Sequence, residues 1–238
     1  MKSKIMIFLL SLTLGASAFS SMALAGTITG TVNYEGEVPR FKPIKMEADP
    51  MCLTHHSGEV MPQSLILGEG QTMANVFVHI VSGVAKKAYP PPAQTAVIDQ
   101  KGCMYDPHVL GVMVGQTVKI LNPDGTLHNV HALSKVNPEF NLAMPKFRTE
   151  VEKKFEKPEF MFLLKCDVHP WMGAWISVMD HPYFNVTKPD GKFIINDLPA
   201  GNYEIEAWHE KLGVQKQTVT LADGESKELN FTFVKPSN

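Results

Sequence analysis

The residues with the clearest capacity for chemistry lie between Cys166 and Met172, where a thiol, an imidazole and a thioether occupy positions 166, 169 and 172. They directly follow an apolar run, residues 160–165, that is typical of a β-strand. One tight loop after that strand could therefore present three metal ligands. His128 offers a second imidazole from another part of the chain. Two His, one Cys and one Met are the donor set of a trigonal copper site with a weak axial thioether.

A second histidine, His131, competes with His128 for the role of fourth ligand. Residues three positions apart on a strand point to opposite faces, so both imidazoles cannot easily reach one metal ion. The residues alone make His128 the leading candidate without excluding His131.

Residues 97–181 resemble a type I blue copper protein of the cupredoxin family, of the amicyanin and plastocyanin kind. The resemblance rests on several segments in order, namely Met104-Tyr105, Asp106-Pro107, residues 112–118, Asn122, residues 128–131 and the Cys-x-x-His-Pro-aromatic-Met loop. It covers about the middle third of the chain. It implies one mononuclear type I copper with His128, Cys166, His169 and Met172 as ligands. It also implies that Asn129 holds the two ligand loops together near the thiolate.

Short strands must position these ligands. Residues 112–114 and 118–120 alternate around a turn at Gly115. Phe160, Phe162, Leu164 and Cys166 share a parity, which predicts that the thiol ends a row of core-facing side chains. Residues 174–178 are predicted to form the returning strand, whereas the polar residues 135–157 are predicted to form a short helix or an irregular loop.

The C-terminal residues 182–238 have the alternation and turns of a second small β-sandwich. They resemble a carboxypeptidase regulatory-like, or transthyretin-like, domain through Asp190-Gly191-Lys192-Phe193 and Leu198-Pro199-Ala200-Gly201-Asn202-Tyr203. That family opens with a Gly-x-Val strand, and Gly30-Thr31-Val32 lies near the start of the chain. We therefore expect an all-β protein in which a cupredoxin Greek-key sandwich, residues 97–181, interrupts a discontinuous second sandwich. Residues 26–96, with their N-terminal strands and Pro-rich loop, would pair with residues 182–238.

The first 25 residues predict a cleaved signal peptide. Lys2 and Lys4 precede an apolar run, and Ala23-Leu24-Ala25 provides an A-x-A cleavage signal. This run is too short for a membrane-spanning helix, so we expect a periplasmic or otherwise exported protein. The remaining chain carries 20 basic and 24 acidic residues, and no basic cluster indicates nucleic-acid binding.

Three cysteines in an exported protein favour one disulfide and one free thiol. If Cys166 binds the metal, Cys52 and Cys103 remain to pair. The alternative interpretation of Cys52-x-x-His55-His56 as half of a haem-attachment motif is weak because the second cysteine is missing. His108, His181 and His209 are left without a role.

These observations together predict a one-electron carrier and not an enzyme, because a single mononuclear copper of this kind has no open position for substrate. We expect the His169 edge to reach solvent and carry the electron. Pro170 and Trp171, with Leu127, would surround that edge as a docking patch for a redox protein partner. The alternative is a copper-binding or trafficking protein without a redox partner.

Overall fold

The structure, a computed structural model, describes residues 24–235. All but the last two residues of the predicted signal peptide lie outside this range. Within it the regular structure is almost entirely β, which confirms the predicted fold class. The elements in chain order are β1 Gly26–Glu35, α1 Pro50–Thr54, a 3-10 turn Glu69–Gln71, β2 Phe77–Ser82, β3 Ala96–Asp99, β4 Val109–Met113, β5 Val118–Leu121, β6 His128–Ala132, β7 Phe140–Met144, β8 Glu150–Lys153, β9 Glu159–Lys165, β10 Gly173–Met179, β11 Phe184–Val186, β12 Lys192–Leu198, β13 Gly201–His209, β14 Gly213–Leu221, β15 Ser226–Glu228 and β16 Phe231–Val234.

Strands β3 to β10 form one sandwich, which we call the inserted sandwich. A five-stranded sheet in the order β4-β10-β9-β6-β7 packs over a three-stranded sheet in the order β3-β5-β8. The two sheets enclose one apolar core to which Ile98 and Ile120 contribute from one side and Val130, Leu164 and Ile176 from the other. Alternation places these side chains inward because successive residues of a strand point to opposite faces.

The remaining strands form a second sandwich, the flanking sandwich, from both ends of the chain. β1 pairs antiparallel with β12 and parallel with β15 and β16. β2 pairs with β11 and β13, and β14 completes that sheet. Residues before the inserted sandwich are therefore hydrogen-bonded to residues after it, which is the pairing expected of a discontinuous sandwich.

An aromatic cluster joins the two sandwiches. Phe77 of the flanking sandwich contacts Phe160 of the inserted one, with ring centroids 6.0 Å apart, and Trp175 lies 5.4 Å from Trp208. A side chain on Gly111 would collide with Phe77 and Phe184 at 2.6 Å, so a residue without a Cβ allows this close approach.

Two local predictions are wrong. Phe160 does not face the core, since it is 42% exposed and turned towards the aromatic cluster. The next residue, Met161, has a φ of +47°, and the pairing of β9 with β10 shifts register nearby, so the alternation breaks there. Residues 135–157 contain strands β7 and β8 instead of a short helix or an irregular loop. Pairing with neighbouring strands overrode the polar composition.

No helix among the described residues is long and apolar enough to cross a membrane.

Candidate metal centre

The loop between β9 and β10 folds tightly on itself. The Met172 N–H donates to the His169 carbonyl at 2.9 Å, and the Cys166 N–H donates to the Met172 carbonyl at 3.2 Å. These two bonds bring three of the predicted ligands together within seven residues. The fourth, His128, is the first residue of β6. All four side chains are at most 1% exposed.

The predicted nitrogen and sulfur ligands converge. The Nδ1 atoms of His128 and His169 are 3.0 Å apart, and the Cys166 Sγ lies 3.8 Å from the His169 Nδ1. Ligand atoms of these three residues all lie within 4.8 Å of one another. Met172 is buried in the same apolar core as Cys166. The structure therefore brings His128, Cys166 and His169 together and places Met172 in the same core.

His131 lies on the other face of β6, as the alternation argument predicts. Its Nδ1 contacts the carboxylate of Asp167 and its Nε2 contacts Glu139, both at 2.9 Å. Because both ring nitrogens are engaged at the surface, His131 is not part of the buried cluster.

Asn129 connects the two ligand segments as the resemblance implies. Its Oδ1 accepts the N–H of Asp167 at 2.6 Å and that of Val168 at 3.3 Å. The same oxygen lies 3.3 Å from the Cys166 Sγ. The backbone N of Asn129 lies 3.5 Å from the same sulfur atom. Asn129 thus fixes the position of the sulfur relative to β6.

Each imidazole contacts a carboxylate through its remote nitrogen. The His128 Nε2 is 3.0 Å from the Oδ2 of Asp124, and the His169 Nε2 is 3.0 Å from the Oδ2 of Asp49. Asp124 also accepts the N–H groups of Gly102 and Cys103 at 3.0 and 2.8 Å. The two carboxylates therefore fix the rings through Nε2 and leave each Nδ1 on the side of the Cys166 thiol.

The charges of the cluster stabilise each other. Burial alone would lower the pKa of His128, but hydrogen bonds to Asp124 and Cys166 outweigh it and raise the pKa to about 9. Burial likewise opposes ionisation of Cys166, yet contacts with His128 and the N–H groups of Asn129, Val168 and His169 lower its pKa. The buried Asp124 carboxylate and Cys166 thiolate therefore favour a positive charge beside them.

The predicted disulfide between Cys52 and Cys103 is present, with the Cα atoms 5.5 Å apart. Both residues are fully buried. A ligand atom of His169 lies within 4.8 Å of both sulfur atoms. The bridge therefore ties the Pro-rich loop directly against the cluster, which spacing alone did not reveal.

Two expectations about the surface are wrong. His169 is 1% exposed, because Asp49 and the loop that carries it cover the ring edge. Trp171 is turned inward, half-buried, and its Nε1 donates to the Cys103 carbonyl at 3.0 Å. Of the predicted patch, Pro170 and Leu127 remain exposed.

The three unassigned histidines lie outside the cluster. His181 contacts the Ile80 carbonyl and His209 is buried in the flanking sandwich. His108 links the Gly173 carbonyl to Glu210 and so joins the start of β10 to the flanking sandwich.

Sequence reasoning missed Asp49, Asp124 and the anchoring role of Tyr105, whose hydroxyl donates to the Asn129 carbonyl at 3.0 Å. Asp124 lies in the turn-forming stretch Asn122-Pro123-Asp124-Gly125, four positions before His128, and that pattern gives no sign of its contact with the imidazole. Asp49 precedes Pro50 as the N-cap of a helix would. Nothing in that pattern indicates its contact with His169, which is 120 positions away.

No protein-family model and no curated protein matches the chain. Among solved structures, a copper-containing nitrite reductase from Thermus scotoductus SA-01 is 23% identical over 42% of this chain and 26% of that one, with a TM-score of 0.33. A purple cupredoxin from Nitrosopumilus maritimus is 25% identical over 35% of this chain and 99% of that one, with a TM-score of 0.30. An amicyanin variant in the Cu(I) form is 26% identical over 43% and 98%, with a TM-score of 0.32. The chain thus spans about a quarter of the nitrite reductase.

Proposed function

We propose that His128, Cys166, His169 and Met172 hold one mononuclear type I copper ion and that the protein carries single electrons after export. The observation that carries this proposal is the pair of Nδ1 atoms 3.0 Å apart. A neutral imidazole has one N–H, and the Nε2 of each ring already faces a carboxylate. When both rings are neutral, two lone pairs face each other, so the arrangement needs either a proton on one ring, as the raised pKa of His128 provides, or a metal cation between them.

The donor set favours copper among the possible cations. A thiolate and a thioether are soft ligands that suit Cu(I), and imidazole suits both oxidation states. A copper ion held there would accept and release one electron. The chain itself excludes water, since all four side chains are at most 1% exposed. Asn129 and Tyr105 hold the sulfur in place, so little rearrangement would accompany a change of charge.

Export and a redox partner remain part of the proposal. The signal sequence at residues 1–25 supports export to the periplasm or beyond. A protein partner would dock transiently near the ligand loop, where Pro170 and Leu127 are exposed. Trp171 would then act as an anchor of the loop and not as a contact residue.

A second candidate is a copper-binding or trafficking protein that has no redox partner. The closed edge of His169 favours it, because an electron carrier generally needs its centre near the docking surface. The two candidates differ in the spectrum of the Cu(II) form: an intense thiolate charge-transfer colour supports electron transfer, whereas stable binding of Cu(I) alone supports trafficking.

The test is an optical and EPR spectrum of the mature protein loaded with copper. Cys166→Ala should abolish the visible colour and lower copper affinity by at least about 100-fold, because the soft anionic ligand is lost. His131→Ala is the matched control and should leave both unchanged, since His131 lies on the other face of β6. A blue Cys166→Ala protein, or loss of copper from His131→Ala, would contradict the ligand set.

A further inference from the structure

One segment of the Pro-rich loop, residues 46–56, lies behind the imidazoles of the cluster. We call it the cover segment. Its Met46 is buried in the core of the inserted sandwich, and its His56 Nε2 lies 2.8 Å from the Gly102 carbonyl. Its Cys52 is bonded to Cys103. The segment thus belongs to the inserted sandwich although it lies outside strands β3 to β10.

Asp49 makes the closest approach of this segment to the cluster, and its carboxylate joins three elements. Oδ1 accepts the N–H of Met51 at 3.0 Å as the N-cap of α1. Oδ2 accepts the hydroxyl of Thr126 at 2.9 Å and contacts the His169 Nε2 at 3.0 Å. Both oxygens are engaged, so Met51 and Thr126 fix the direction in which the carboxylate meets the ring.

We propose that Asp49 is a positioning residue of the metal centre: it holds the His169 ring with Nδ1 towards Cys166, and the cover segment closes that ring edge to solvent and to direct partner contact. This inference rests on the proposed function. A carboxylate bonded to the remote nitrogen of a metal-binding histidine fixes the tautomer and strengthens the imidazole as a donor.

The disulfide tethers the cover segment to the inserted sandwich. Cys52 follows Asp49 by three residues, and the N–H of its partner Cys103 donates to Asp124, which contacts His128. One covalent link therefore connects the segment that carries Asp49 to the segment that is hydrogen-bonded to Asp124. Electron exchange through the His169 edge would require the cover segment to move.

The first experiment needs no copper. Metal-free protein is treated with diethyl pyrocarbonate, and modification of each histidine is followed by mass spectrometry. Asp49→Ala should speed modification of His169 by about tenfold, the effect of losing one charge-assisted hydrogen bond. Asp49→Asn, whose amide oxygen can still accept, should restore most of the protection. His131 is the internal reference in every sample.

The matched control is Glu47→Gln, which removes an equal charge from an exposed position of the same segment. It should protect His169 as well as the natural chain does. If His169 in Asp49→Ala were modified no faster than in the natural chain, the proposal would be overturned. Circular dichroism checks that each variant is folded. Should Asp49→Ala unfold, Asp49→Ser replaces it, because a serine keeps the N-cap of α1 but is too short to reach the His169 ring, and it should show the same faster modification.

The second experiment separates positioning from a merely structural role. In the copper-loaded protein, Asp49→Asn should raise the ratio of Cu(I) to Cu(II) affinity about tenfold, which is about 59 mV for a one-electron couple, because a negative charge that favours Cu(II) is lost. Glu47→Gln should change it far less. An unchanged potential in Asp49→Asn would overturn the claim that the Asp49 carboxylate strengthens the His169 imidazole as a donor. Failure to bind copper would refute the proposed function. The modification experiment would still test whether Asp49 and the cover segment protect the His169 ring.

Discussion

His209 in the flanking sandwich and His128 in the inserted one are both buried, yet their pKa values are shifted in opposite directions. Burial lowers the pKa of His209 to about 4, and the nearby Glu210 only partly offsets it. Burial acts on His128 in the same direction, but Asp124 and Cys166 raise its pKa to about 9. His79 and His181, also in the flanking sandwich, have pKa values lowered chiefly by burial.

The difference shows what each sandwich does with its buried polar groups. In the flanking sandwich, burial outweighs the nearby carboxylates, such as Glu206 beside His79, and disfavours the charged form of these histidines. In the inserted sandwich, by contrast, anionic groups gather around two imidazoles at one end of the core. Burial of several charges is unfavourable unless they are paired. Such a concentration of charge is the expected surrounding of a cation site and not of a purely structural core.

The largest expected effect concerns whether the two sandwiches are separable. A chain that ends at residue 181 would leave β1 without β12, β15 and β16, and β2 without β11 and β13. We expect it to aggregate, because long apolar edges would be unpaired. Size-exclusion chromatography against the full mature chain measures this. A soluble, monomeric, blue product would show instead that the inserted sandwich folds without the residues after it.

A smaller effect should be confined to the inserted sandwich. Replacing both Cys52 and Cys103 by Ser removes a cross-link that spans 51 positions, which contributes about 4 kcal/mol in the chain-entropy estimate. Hydrogen exchange followed peptide by peptide should show lower protection in β3 to β10 and little change in β13 and β14. Equal loss of protection in both sandwiches would mean that they unfold as one unit.

The contrast between the histidines predicts opposite responses to pH in the metal-free protein. The folded pKa of His209, about 4, lies below the ordinary value of 6.5, so its contribution to stability is present above pH 6.5 and is lost as pH falls towards 4. The contribution is up to about 3 kcal/mol. His128, with a raised pKa, contributes below its ordinary value of 6.5 and loses this contribution as pH rises through about 9.

Titration of the ring protons by NMR measures both midpoints. Asp124→Asn should lower the midpoint of His128 and leave that of His209 in place, because Asp124 supplies the largest favourable contact of His128. Midpoints near 6.5 for both residues would remove the contrast between the two sandwiches.

The smallest expected effect is on the reduction potential, and it should differ between variants of two buried methionines, Met172 and Met179. Met172→Leu should leave the copper-loaded protein coloured and change its reduction potential, because a weak axial donor is replaced by an apolar group of similar volume. Met179→Leu, at the contact between the sandwiches, should leave the potential unchanged. Equal potentials in the two variants would remove Met172 from the ligand set.

Local patterns were sufficient for much of the fold and the site. The parity of Leu164 and Cys166 placed the thiol at the end of a core-facing row, and alternation on β6 separated His128 from His131. These predictions succeeded because side-chain direction along a strand depends only on nearby residues. The same reasoning failed at Phe160, where contacts with Phe77 and Trp208 replace burial in the core.

By itself the sequence determined that a thiol, an imidazole and a thioether share one tight loop, since Cys166, His169 and Met172 lie within seven residues and bond to one another's backbone. Only the tertiary structure decided that the edge of His169 is closed. The residue that closes it, Asp49, is 120 positions away, and its approach depends on the disulfide and on packing of the Pro-rich loop. Contacts across such a separation are set by how strands and loops pack together, which no local pattern encodes.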